Sequence, residues 1–239
     1  VNEEEVRALI SENPNSFLCV SRPETGFPLG TNPNSDAIHA KAKENLESLK
    51  NHGLLVRDDT PTYYVYKMKM GSHEQTGIAL TASVDAYNAN LVKKHELTRP
   101  TKEDDRTHNM LSLNAQTGPV LSVYRSNKAL KKLLVDIKKN TPLFKVKGQH
   151  EVIHTIWRIE DAITINMITS IFEEMQNIYI ADGHHRSAAA ARVSSELRTP
   201  NASSRESFDY FLTVVFPQDE MQIFDYNRVV RDLNGLSST

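Results

Sequence analysis

A single cysteine among 239 residues, Cys19, leaves no second thiol for a disulfide within the chain and excludes a cysteine-rich zinc site. Its setting, Ser16-Phe17-Leu18-Cys19-Val20, is that of a small buried hydrophobe. A basic excess is missing too: 28 Lys and Arg stand against 30 Asp and Glu, a net charge of −2. That balance does not support the grip on a phosphate backbone that a nucleic-acid binder needs, so DNA is not an expected partner. No run approaches the ~20 apolar residues of a membrane-spanning helix. No charged stretch followed by an apolar one opens the chain. The expectation is a cytoplasmic protein without a membrane partner, its thiol-poor composition suited to a reducing compartment. Repeats of fixed period and low-complexity tracts are also absent.

What remains is ordinary globular usage, 39% hydrophobic and 24% charged. A chain this long buries roughly 70% or more of the surface its unfolded form exposes, so it needs no staples. One compact unit over residues 1–239 is expected, with 1–84 and 85–239 as the alternative division. Val1 in place of a Met, and an end just after an apolar stretch, suggest a portion of a longer protein.

The pattern mixes helices and strands. Helices are expected over 2–13, 35–53, 102–115, 127–140, 161–175 and 184–198, from apolar spacing and flanking cap and stop residues. In the second, Ser35 or Asp36 caps, Ile38, Ala42, Leu46 and Leu49 share a face, and Gly53 stops it. In the third, Thr101 and Asp104 form a capping pair. The fourth carries Leu130, Leu133, Leu134 and Ile137 on one face. Strands are expected at 16–20, 118–125, 151–159, 177–182, 207–217 and 221–230. A hairpin is expected from 61–70 and 76–85 around a Gly71–Gln75 turn. The class is α+β, a mixed β-sheet with packed helices.

The stretch "IYIADGHHRSAAAARV", 178–193, is the most informative. A buried strand runs through Asp182-Gly183-His184-His185-Arg186 into a helix. Small residues let that helix approach a sheet closely, with Ala189, Ala190, Val193 and Leu197 in a stripe. A helix N-terminus has unpaired N–H groups and partial positive charge, which suit an anion. Gly183 permits close backbone approach. Arg186 offers a donor fork matched to phosphate, and His184 and His185 add donors or proton-transfer groups. Asp182 is placed to cap the helix, hold a divalent cation or orient a histidine. Three readings stay open: a plain structural turn, a metal site built on Asp182, His184 and His185, and a phosphate cradle, which the residue types favour.

A second segment, "KKHELTRPTKEDDR", 93–106, is dense in charge and interrupted by proline. Such a run is usually a solvated face, but loops also carry catalytic groups. Folded over the helix mouth, it brings Glu96 as a base for a hydroxyl nucleophile. Lys94, Arg99 and Arg106 then spread phosphoryl charge. Asn114 and Thr117 are weaker candidates, in a stretch that reads as a turn. His39, His52, His73, His150 and His154 carry no spacing signal.

Together "NPNSFLCVSRPE", "YYVYKMKM", "VKKHELTRPTKEDDR", "LNAQTGPVLSVYR", "HTIWRI", "IYIADGHHRSAAAARV" and "IFDYNRVVRDLNGL" resemble a widespread prokaryotic family of unknown function that is grouped with ParB proteins. That resemblance implies further segments before Val1 and after Thr239. The Asp-Gly-His-His-Arg turn also resembles the phosphate-binding Gly-x-x-Arg turn of the ParB/sulfiredoxin superfamily, implying a core of that kind with an added hairpin and helices. Its nearest likeness is to free-serine kinases, whose upstream His-Glu pair corresponds here to His95-Glu96. The likeness implies Glu96 and His185 as catalytic residues, with Gly183, His184, His185 and Arg186 on phosphates. Lys94 and Arg99 support the phosphates, and Asp182 assists the metal. The implied cofactors are Mg²⁺ and ADP, ATP or CTP, and the implied partner is a small hydroxylated metabolite. Sulfiredoxin chemistry needs a cysteine in the turn, where this chain has histidines. ParB partition proteins carry a helix-turn-helix module, which this pattern lacks. The alternatives are a nucleotide-responsive module without chemistry and a metal-dependent hydrolase.

Overall fold

The computed structural model describes all residues except Val1, Asn34, Ser204, Tyr226, Arg228, Val229, Arg231, Leu233, Leu236, Ser238 and Thr239. Chain order begins with α1 (Glu3–Glu12), where Asn2 and Glu5 cap each other reciprocally. There follow α2 (Leu18–Ser21), α3 (Asp36–Asn51), and the hairpin β1 (Tyr63–Met70) and β2 (His73–Ser83). A short α4 (Val84–Asn88), β3 (Val92–Lys93), α5 (Pro100–Leu113) and β4 (Val120–Tyr124) come next. The chain continues with α6 (Lys128–Ile137), β5 (Phe144–Lys147), β6 (Ile153–Ile159), α7 (Ala162–Glu174), β7 (Ile178–Asp182), α8 (His184–Leu197) and β8 (Tyr210–Pro217).

All eight strands form one mixed sheet in the order β3-β7-β4-β8-β2-β1-β6-β5. The fold is α+β, and strands from both sides of residue 84 share that sheet. Only β3/β7 and β4/β8 run parallel. The register aligns Ile180, Ser122, Val215, Ile78, Val65 and Trp157 in one row across six strands, all buried. Side chains alternate along strands, so one row defines one face. On one half of that face pack Leu130 and Leu134 of α6 and Ile168 of α7. On the other pack Ala189, Ala190 and Val193 of α8, Met110 of α5, and Val84 and Tyr87 of α4. An outer cluster of Val20, Ala42, Leu46, Leu49 and Leu113 fastens α2 and α3 to α5.

Several expectations need correction. Residues 16–20 do not form a strand; 18–21 are helical. A short apolar run has no decisive period, and here Val20 is buried against α3 while the Cys19 carbonyl accepts a hydrogen bond from Asn45. The hairpin turn is shorter than Gly71–Gln75: Gly71 takes φ +58° and β2 already starts at His73. Thr101 and Asp104 do not cap α5. Its N-cap is Arg99 and Pro100 is the first helical residue, where a fixed φ and a missing N–H cost nothing. Ser35 is an N-cap without a side-chain hydrogen bond. Leu197 ends the α8 stripe 41% exposed. No strand forms over Met221–Asp225, and Tyr226, Arg228 and Val229 of the expected strand lie outside the described residues. The topology explains this: β8 already has β4 and β2 on its two edges, leaving no ladder for a following hairpin partner. The elements not anticipated were α4, β3 and β5. Among the described residues no helix is long and apolar enough to cross a membrane.

Candidate functional site

The cleft begins where β7 becomes α8. Gly183 makes the turn at φ 93°, ψ 25°, a conformation that suits a residue without Cβ. A methyl there would lie 3.3 Å from Val120 Cα and 3.2 Å from Arg186 Nη1. The close approach continues along α8, where Ser187, Ala189 and Ala190 are at most 1% exposed. The N–H groups of Arg186 and Ser187 donate to the Gly183 carbonyl at 2.9 and 3.1 Å. Those of His184 and His185 meet no acceptor among the described residues. Asp182 makes no capping hydrogen bond, so the helix mouth keeps two orphan donors.

Arg186 donates to the Pro119 carbonyl, and its Nη2 lies 3.7 Å from the Asp182 carboxylate. A methyl on Gly118 would come within 3.5 Å of its Nε. The stretch before β4 therefore contributes to the site by seating this guanidinium. Asn114 instead ends α5 in a left-handed conformation, and neither it nor Thr117 lines the cleft.

The segment after β3 forms the opposite wall. β3 pairs in parallel with β7, Val92 with Ile178 and Lys93 with Tyr179, so both strands leave the sheet at the same edge. Glu96 reaches the helix mouth, its Oε2 3.3 Å from His184 Nδ1. The His184 ring is 2% exposed, and neither nitrogen makes a hydrogen bond among the described residues. The His95 ring stands edge-on to it, centroids 4.4 Å apart at 82°. Burial pushes the His184 pKa down and the neighbouring His95 adds to this, with Glu96 and Asp182 opposing. His185 Nε2 accepts the Arg99 backbone N–H at 3.1 Å, tying the loop to α8.

The cleft, open to solvent, measures about 500 Å³. Arg99, Lys102, Arg106 and Arg186 line it, against the carboxylates Glu96, Asp105 and Asp182. Arg99 and Lys102 have no carboxylate partner among the described residues. The charge run thus divides by helical spacing. Glu103 and Asp104 pair with Arg192 of α8, at 3.8 and 2.7 Å. Positions 99, 102 and 106 turn their cations to the cleft. Lys102 and Asp105 were missed as site residues although they lay in the expected helix; i, i+3, i+4 spacing from Lys102 groups them with Arg106. Lys94 lies apart from the cleft wall, its ammonium 4.0 Å over the Tyr87 ring. Behind the wall, His39 of α3 is buried, stacked at 4.2 Å on His108 and 3.9 Å from Asp105.

Among the described residues no three His, Cys, Asp or Glu are arranged to hold a metal ion. Asp182, 71% exposed at the rim, suits a hydrated cation that shares its shell with phosphate oxygens. The arrangement offers an anion two backbone donors, one guanidinium fork and unpaired cations, with a carboxylate nearby.

The model of the DUF1015 family, described as proteins of unknown function, matches residues 1–239, and the chain belongs to that family. No curated protein and no solved structure matches it.

Proposed function

We propose that this DUF1015 protein binds the phosphates of a nucleotide, ADP, ATP or CTP with Mg²⁺, at the mouth of α8. We propose further that it transfers a phosphoryl group to a small hydroxylated acceptor. The observation that carries the reading is the pair of orphan N–H groups, of His184 and His185, in a cleft with unpaired Arg99 and Lys102. Such a mouth favours phosphate by both dipole and hydrogen bonding. Arg186, Arg99 and Lys102 would take the phosphate charge, and Asp182 would share the Mg²⁺. That ion supplies charge neutralisation on the phosphate oxygens when bound. Glu96 would accept the proton of the acceptor hydroxyl as its oxygen bonds to phosphorus and the bond to the leaving phosphate oxygen breaks. The likeness of the turn and of His95-Glu96 to free-serine kinases points the same way.

The test is product formation. The protein is incubated with each nucleotide, Mg²⁺ and a panel of small alcohols and hydroxylated acids, and ³¹P NMR follows new phosphate esters. The reading predicts an ester that disappears in Glu96→Gln. A second reading, a nucleotide-responsive module without chemistry, is favoured by the Arg99–His185 bond, because a ligand at the mouth would move the loop. It predicts nucleotide binding that survives Glu96→Gln, no ester, and a change in shape or assembly.

A further inference from the structure

A second cavity lies at the opposite edge of the sheet from the cleft. β4 and β8 run parallel, and β4 is antiparallel to β7. The carboxyl ends of β4 and β8 therefore point away from the mouth of α8, and ligands commonly sit at such strand ends. There α6, the turn after β8 and Thr76 of β2 bound a cavity of about 120 Å³. An apolar cavity of about 150 Å³ takes a benzene ring, so this one suits a ligand of about five or six heavy atoms.

Two side chains in its wall have donors to spare. Tyr124 is 1% exposed, its ring edge-on to Phe172 of α7 at 5.7 Å, and its hydroxyl makes no hydrogen bond among the described residues. Burial pushes its pKa up, and Glu220 and Asp219 add to this, so the hydroxyl keeps its proton. Lys138, just after α6, donates to Thr76 Oγ1 at 2.9 Å and makes no ion pair among the described residues. An ammonium has three hydrogens to give, so this bond leaves it unfilled.

The carboxylates nearby are engaged elsewhere. Asp219 accepts from Ser126 and, at 3.3 Å, from Lys131, and Glu220 Oε2 accepts the Thr76 N–H at 2.7 Å. Lys131 and Lys138 balance Asp219 and Glu220, and Leu134, Val135 and Pro217 supply apolar wall. A neutral ligand with an acceptor oxygen answers both donors, whereas an anion would meet two carboxylates. A half-buried amine near other cations is also drawn toward its neutral, nucleophilic form. Burial lowers the Lys138 pKa, with Lys67 and Lys131 adding to it and Glu220 and Glu74 opposing.

We propose that this cavity is a covalent binding site for a small neutral ketone or aldehyde, with Lys138 Nζ as the nucleophile and the Tyr124 hydroxyl as the donor that holds the carbonyl oxygen. The Nζ lone pair bonds to the carbonyl carbon, the C–O bond then breaks, and the oxygen leaves as water with both amine hydrogens. The product is an imine on Lys138. Nothing in this step draws on the nucleotide cleft, so the two sites stand or fall separately.

The test traps that imine. The protein is incubated with butanone and sodium cyanoborohydride at pH 7.5, and peptide mass spectrometry follows the sec-butyl amine formed on each lysine over time. Lys138 should be modified about tenfold or more faster than any other lysine. Tyr124→Phe keeps the ring, removes the donor and should slow modification of Lys138 alone, by about tenfold or more. Lys138→Arg should abolish the fast phase. Modification spread evenly over the exposed lysines, or an unchanged rate at Lys138 in Tyr124→Phe, overturns the proposal. The wild-type ratio decides even where a variant does not fold.

Discussion

Replacing Gly183 by Ala puts the turn that opens the cleft under direct test. At φ 93° the backbone is in the left-handed half of conformational space, which costs an L-residue about 1–2 kcal/mol. The new methyl would sit 3.3 Å from Val120 Cα. Val120 is 1% exposed, flanked by β7 and β8, and has no room to retreat. The other neighbour, Arg186, moves only by giving up its hydrogen bond to Pro119. Crowding of this order adds roughly 1 kcal/mol, for a total loss of about 2–3 kcal/mol. In a chain of this size each kcal/mol lowers Tm by about 2–4 °C, so a fall of about 5–10 °C is expected. Differential scanning calorimetry measures it, and the same variant should bind nucleotide more weakly because the helix mouth is displaced. A Tm within about 1 °C of the wild type would refute the argument that this turn is sterically restricted to glycine.

Gly77→Ala should also destabilise, by about 2 kcal/mol or more. A methyl on β2 there falls 2.8 Å from both Phe216 Cδ1 and the Val215 carbonyl oxygen; urea unfolding reads the loss, and an unchanged midpoint contradicts it. Stability should depend on pH through His39 and His184, whose pKa values burial pushes below the ordinary 6.5. Their neutral forms fit the fold, so this contribution is fully present above pH 6.5 and is lost as pH falls toward the lowered values. Unfolding free energies at pH 7.5 and 5.5 should differ in that direction, and a flat profile over that interval counts against it.

Much of the framework was legible before the structure, and the exceptions have physical causes. The helices of 35–53 and 127–140 carry apolar residues at helical spacing, and their buried faces are the expected ones, while 161–175 is helical as expected. The strand–Gly183–helix turn was readable because a glycine between an apolar run and a tract of alanines has few other uses. The way the second half of the site comes to that turn was not readable. It depends on β3, two residues long, too short to show a period, yet parallel to β7 and hence decisive in delivering Glu96 to His184. Charge density concealed the start of α5, whose cations Lys102 and Arg106 turn to the cleft while Glu103 and Asp104 turn to Arg192 of α8. Sequence placed Lys94 on the phosphates; the structure lays its ammonium over the Tyr87 ring of α4 instead. His39 carried no signal because its meaning lies in a partner on another helix.

The account stands most directly on whether the mouth of α8 holds a nucleotide phosphate. Calorimetric titration of the chain with ADP, ATP and CTP in the presence of Mg²⁺ measures this. The predicted result is saturable binding of at least one nucleotide, weakened about tenfold or more by Arg186→Lys, which keeps the charge but loses the donor fork. Absence of saturable heat with all three nucleotides, from protein that unfolds cooperatively, would contradict the reading.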